Sequence, residues 1–182
     1  MALDSSAFAS LQRAAKLSSA AYTGCIGSAF DVTITKQIYD IATDTQIMKG
    51  ISSPWSAVHD TVISEVQSLI AKYPDYTLES TGHSLGGSLT YLSYVALAQN
   101  FPGKKITSNA LAAFPIGNTA WANFASSQQG TLNRGNNALD GVPLRALWNQ
   151  RDLSCSAGNG LVGVTAGHFQ SFGVSLGYAG CS

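Results

Sequence analysis

Apolar and polar positions follow two periods along this chain. Trp55, Val58, Val62, Val66, Leu69 and Ile70 recur at helical spacing and predict a helix over 54–72. Ser53 stands where an N-cap would, Pro54 suits the first helical position, Lys72 lies in the last turn and Pro74 stops it. Phe8, Leu11, Ala14, Ala15 and Tyr22 fall near the same spacing, with Ser5 or Ser6 as cap, and predict a helix over 5–22. Phe30, Val32 and Ile34 alternate with polar residues, so 30–35 reads as a strand, while 36–52 fits neither period. A short strand over Tyr76–Thr81 runs into a glycine-rich turn, Gly82 to Gly87, and then an apolar helix from about Gly87 to Asn100, ended by Phe101-Pro102-Gly103. Residues 106–114 read as a buried strand ending at Pro115, followed by a short helix near 119–127 and a strand near 131–135. From 153 onward the chain is rich in Gly and Ser and reads as packed loops with one short helix near 168–176. Helices alternating with strands predict one α/β domain over 1–182, with a mostly parallel central sheet flanked by helices.

Composition narrows the function. Charged residues are 11 % of the 182, and ten basic side chains balance ten acidic ones. Nucleic-acid backbones are bound by many Lys and Arg, so a nucleic-acid partner is not expected. No charge lies between Glu79 and Lys104, between Ile106 and Asn133, or after Asp152. Gly, Pro, Asn, Gln or Ser interrupts each of these stretches, so none is read as a membrane span. Met1-Ala2-Leu3-Asp4 lacks the basic and apolar regions of a signal peptide, so the chain reads as cytoplasmic or as a mature product with an added Met. No cluster of His, Cys or carboxylates has metal-ligand spacing, and neither metal nor cofactor is expected. Cys25, Cys155 and Cys181 match no zinc or thioredoxin pattern; three buried thiols, or one disulfide with an orphan, both fit.

The candidate chemistry lies in Gly82-His83-Ser84-Leu85-Gly86, with Gly87 after it. G-x-S-x-G is weak as a string, but here a strand enters it and an apolar helix leaves it, as a nucleophile elbow requires. Ser84 would sit on a strained turn, and Gly82, Gly86 and Gly87 would let strand and helix approach closely. The helix start aims free N–H groups and the positive dipole end at the site, where an oxyanion would develop. Of three histidines, His83 directs its side chain away from Ser84, and His59 lies near an apolar helix stripe as a packed or boundary residue. Only His168 satisfies the order Ser, acid, His. Asp140 and Asp152 are the carboxylates between Ser84 and His168. Asp152 sits beside Arg151 and reads as its surface ion-pair partner, so Asp140, in a loop just after a strand, is preferred. Ser84 would attack an acyl carbonyl, His168 would take and return the proton, and Asp140 would hold the imidazole tautomer. The Leu85 backbone N–H would donate to the oxyanion.

Together these residues resemble the secreted fungal class 3 lipases, a family that includes feruloyl esterases, with lipases of mushroom-forming fungi the nearest likeness. The likeness rests on Gly82-His83-Ser84-Leu85-Gly86-Gly87, Asp140-Gly141-Val142-Pro143, Gly167-His168-Phe169 with Ser171-Phe172-Gly173, the helix Ser53–Tyr73, and Phe114-Pro115-Ile116-Gly117-Asn118. It implies an α/β-hydrolase-like fold, the triad Ser84, Asp140 and His168, a lipid or other carboxylic ester as substrate, transient contact with a lipid surface, and secretion. It also implies a disulfide between Cys25 and Cys181, which over so long a loop would stabilise by roughly 4–5 kcal/mol. His83, Phe114 and Ile116 are the candidates for substrate contact.

Family members are longer. They carry a central strand with an Arg-Gly-Ser/Thr-like end, which supplies the second oxyanion donor, and then a helical lid. Here Asp44-Thr45-Gln46 passes straight to Ile47-Met48. A second stretch is missing near Asn149–Arg151, which would leave Cys155 without its partner. The reading is therefore a serine ester hydrolase, most simply a triacylglycerol lipase or esterase. The alternative is an impaired, shortened variant without the second oxyanion donor and lid.

Overall fold

In the computed structural model, α1 (Lys49–Lys72) packs its apolar stripe on the long buried helix α2 (Leu85–Asn100). The structure describes residues 45–142 and 163–176, together with 5, 6, 8, 9, 11 and 12. The stripe of α1 runs through Ile51, Trp55, His59, Val62 and Ile63, with Val66 and Ile70 partly buried, whereas Val58 and Leu69 are exposed. The helix begins five residues before the Pro54 start expected from the sequence. Its N-cap is Met48, without a side-chain cap bond, and Pro54 lies inside it. Long-range contacts set this start: Ile47 bridges Gly117, and the Met48 N–H donates to the Ile116 carbonyl at 2.7 Å. Burial of Ile51 then rewards the added turn.

Among the described residues, three parallel strands form the sheet, in the order β1 (Leu78–His83), β2 (Ile106–Leu111) and β3 (Thr131–Gly135). Leu78 pairs with Ile106 and His83 with Leu111, while Thr107 pairs with Thr131 and Leu111 with Gly135. Alternation along β2 splits its side chains. Ile106 and Ala110 join the core under α1 and α2, and Leu111 faces a smaller cluster with Leu11 and Leu176. α2 is buried over most of its surface, Leu92, Tyr94, Val95 and Ala96 almost wholly, as a central crossover helix should be. Asn118 caps α3 (Thr119–Ser126), its side chain accepting the Trp121 N–H at 3.0 Å.

The short helix expected near 168–176 is instead a 3₁₀ turn, Ala166–Phe169, and a hairpin of β4 (Gln170–Ser171) and β5 (Val174–Ser175). Phe172 and Gly173 take positive φ, which a helix would not allow. The described residues at the N-terminus are helical, as expected, and Gln12 donates to the Phe172 carbonyl at 3.2 Å. Most of the 5–22 helix, the 30–35 strand, Cys25, Cys155, Cys181, Arg151 and Asp152 lie outside the described residues.

Candidate active site

Ser84 sits where β1 ends and α2 begins, with φ 56° and ψ −118°. A positive φ on a residue with a side chain costs on the order of 1–3 kcal/mol unless its surroundings enforce it. Here the Ser84 N–H donates to the Leu111 carbonyl, and the Ser84 carbonyl accepts the Ser88 N–H, both at 2.9 Å. Small neighbours make the turn feasible. A Cβ on Gly82 would lie 2.3 Å from the Gly86 carbonyl oxygen, and one on Gly87 would lie 2.6 Å from that of Leu111. Gly86 differs from expectation: a Cβ there meets nothing within 4 Å, so close packing does not require it. Leu85, the first residue of α2, has a backbone N–H with no acceptor inside the helix.

Asp140 and His168 come together from loops after β3 and before β4. Both are buried, and His168 Nδ1 lies 3.0 Å from each carboxylate oxygen. A carboxylate only accepts, so Nδ1 carries the proton and Nε2 keeps a basic lone pair. Asp140 Oδ1 also accepts the Val142 N–H at 2.8 Å.

Residues that the sequence did not flag hold the two loops together. Asn137 accepts the Leu139 N–H on its side chain at 2.9 Å, accepts the Asp140 N–H on its carbonyl at 3.0 Å, and donates from Nδ2 to the Gln170 carbonyl at 3.1 Å. The Asx-turn spacing from Asn137 to Leu139 was the available signal. The Thr165 hydroxyl bonds the Leu139 carbonyl. Gly167 allows the approach, because a Cβ there would lie 2.7 Å from the Leu139 backbone.

His83 is buried, and its Nε2–H donates to the His168 carbonyl at 2.7 Å. The two rings lie 4.5 Å apart, inclined at 49°. Burial pushes the His83 imidazole down to about 4, its bond to the His168 carbonyl opposing that, with smaller opposed contributions from His168 and Asp140. The His83 ring thus lies against His168. Phe114 is half-buried against the core, its N–H and carbonyl both bonded to the Ser88 hydroxyl at 3.2 and 3.1 Å. Ile116 is buried and lines a cavity of about 170 Å³ with Tyr91, Trp121, Leu132 and Arg134. His59 is a packed residue, as expected, edge-on to Trp55 at 5.2 Å. Exposed apolar side chains adjoin these candidates in sequence: Leu85 beside Ser84, Leu139 beside Asp140, and Phe169 beside His168. Among the described residues, no three His, Cys, Asp or Glu side chains gather where a metal ion could sit, and no helix is long and apolar enough to cross a membrane.

Residues 19–149 match the family model for lipase (class 3). The chain is 50 % identical to the secreted alkaline triacylglycerol lipase of Penicillium cyclopium, across 98 % of its own length and 88 % of that protein's. The match extends over 251 positions, more than the 182 residues of this chain. Among solved structures, it resembles a triacylglycerol lipase from Penicillium expansum, with a TM-score of 0.85 at 49 % identity, covering 100 % of this chain and 98 % of that one. A lipase from Rhizopus microsporus var. chinensis shares the fold, with a TM-score of 0.82 at 17 % identity over 99 % of this chain and 91 % of that one.

Proposed function

The chain belongs to the class 3 lipases and is a carboxylic ester hydrolase; from that premise we propose that it cleaves triacylglycerol-type esters with Ser84 as nucleophile, His168 as general base and acid, and Asp140 as the orienting carboxylate. The observation that carries this assignment is the buried Asp140–His168 pair, with Nδ1 3.0 Å from both carboxylate oxygens, in a chain where Ser84 stands on the strand-to-helix elbow. His168 Nε2 removes the Ser84 proton as Oγ attacks the ester carbonyl, and the negative charge on the carbonyl oxygen is met by the Leu85 N–H. Collapse of that intermediate releases the alcohol, which takes the proton back from His168, and leaves an acyl-Ser84 ester. Water then attacks the acyl group, giving its proton to His168. The carboxylic acid departs, and Ser84 recovers its proton. Asp140 stays ionised throughout and stabilises the imidazolium.

Apolar side chains at Leu85, Leu139 and Phe169 favour a lipid ester and transient seating on a lipid surface. The likeness to a secreted Penicillium lipase supports secretion. A shortened class 3 lipase, folded as one domain, is favoured by a match longer than the chain itself. In that reading one oxyanion donor is lost, at about 10²–10³ in rate, and the enzyme is weak.

Hydrolysis of a short-chain nitrophenyl ester, compared with Ser84→Ala, tests the assignment. We expect the variant to lose at least about 10⁴-fold in kcat/KM, and a fluorophosphonate probe to label only the unmodified chain. Equal rates in both proteins overturn the triad. A well-folded chain that the probe does not label marks an inactive variant.

A further inference from the structure

The Ala166–Phe169 turn closes with the Gln170 N–H bonded to the Gly167 carbonyl, which leaves the next carbonyl, that of His168, for a donor outside the turn. His83 is that donor, at 2.7 Å, reaching across 85 positions of sequence within the buried interior. His168 is thereby held at two points, its imidazole by Asp140 and its main chain by His83. His83 also immediately precedes Ser84, so one bond joins the serine turn to the loop of the base. We propose that His83 is a positioning residue for His168, fixing the base loop against the Ser84 turn through the His168 carbonyl, and that it does not contact substrate.

This inference rests on the triad reading above. The bond requires the proton on His83 Nε2, because a carbonyl oxygen only accepts. Burial keeps the His83 ring neutral near pH 7. It therefore adds no second cation when His168 takes up the serine proton, a step that like charge at this separation would oppose. A loosened base is expensive, since a misplacement of about 1 Å in a catalytic group can cost about 100-fold.

The test measures kcat and KM on a soluble nitrophenyl ester for His83→Leu, His83→Gln, His83→Asn, His168→Ala and the double variant H83L/H168A, with thermal melts to establish folding. Gln places an amide N–H where Nε2 stands, whereas Asn is one methylene shorter and falls short of the carbonyl. We expect H83L to lower kcat about 10–100-fold with KM changed less than about 2-fold. H83Q should recover most of that loss, and H83N should not. In the H168A background, H83L should add nothing, because its effect passes through His168. Unchanged kcat in folded H83L, a loss falling on KM, or a full additional loss on top of H168A overturns the inference. If H83L does not fold, the comparison of Gln with Asn decides, and equal activities overturn it. An unmodified chain no faster than S84A overturns the triad and this role together; an active one with indifferent His83 variants overturns this role alone.

Discussion

At the scale of single residues, burial sets the chemistry of the histidines more than sequence neighbours do. His59 is fully buried on α1, and desolvation lowers its imidazole to about 4, with Asp60 opposing in part. Below the ordinary value of 6.5 the unfolded chain takes up a proton that the folded chain refuses. Stability therefore falls as pH drops from about 6.5 to about 4, and is fully present above that window. Urea unfolding followed from pH 7.5 to 4 should show this slope, and His59→Gln should flatten it by roughly 1–3 kcal/mol across the window. Because the variant also alters packing, the change of slope is the readout, and parallel curves would contradict the argument. The same scale explains why the proposed triad could be named from the sequence and the contact of His83 could not. Ser84, Asp140 and His168 follow from a motif, a chain order and a shortage of alternatives. The partner of His83 is a backbone carbonyl 85 positions away, and no spacing rule announces such a contact.

At the scale of elements, the strongly periodic segments were legible. β1, α2, β2, α3 and β3 fall within a few residues of the expected ranges, because each buries a regular pattern. The start of α1 was not legible. Ser53 and Pro54 imitate an N-terminus, but the bridge from Ile47 to Gly117 and the burial of Ile51 carry the helix back to Lys49. Pro54 then occupies an interior position, where it denies the Gly50 carbonyl its helical N–H. The Pro54 side chain is exposed, so replacing it disturbs backbone energetics and little else. Pro54→Ala should accordingly stabilise by about 1–3 kcal/mol, read as a higher urea midpoint with unchanged slope. A helix truly beginning at Pro54 would give no gain, since proline is welcome at a first position. The β4–β5 hairpin was missed for a different reason. Two-residue strands carry no periodicity, and the turn between them relies on Phe172 at positive φ, which its residue type does not advertise.

At the scale of the whole molecule, the resemblance predicts a lipase without its lid, and a lidless site has a consequence for how rate depends on an interface. Leu85, Leu139 and Phe169, the sequence neighbours of the proposed triad, are exposed, and among the described residues β1 pairs only with β2. A lipase whose lid covers such apolar side chains is slow on dissolved ester and accelerates when an interface opens it. Where the apolar rim is already exposed, the interface has no closed state to displace, and a ligand that favours neither of two states shifts nothing. Rate against concentration of a short-chain ester should therefore rise smoothly through the solubility limit, without a jump. The rim should still matter for adsorption, because burying its apolar surface at a lipid boundary is favourable. Leu139→Glu, a change at a side chain that is 65 % exposed, should lower the ratio of activity on emulsified triacylglycerol to activity on dissolved ester by about 10-fold, a cost of about 1.4 kcal/mol in adsorption. A discontinuity at the solubility limit would mean that some segment closes over Ser84 and must be moved aside. An unchanged ratio in the variant would mean that substrate arrives as single molecules, as it does at a plain esterase.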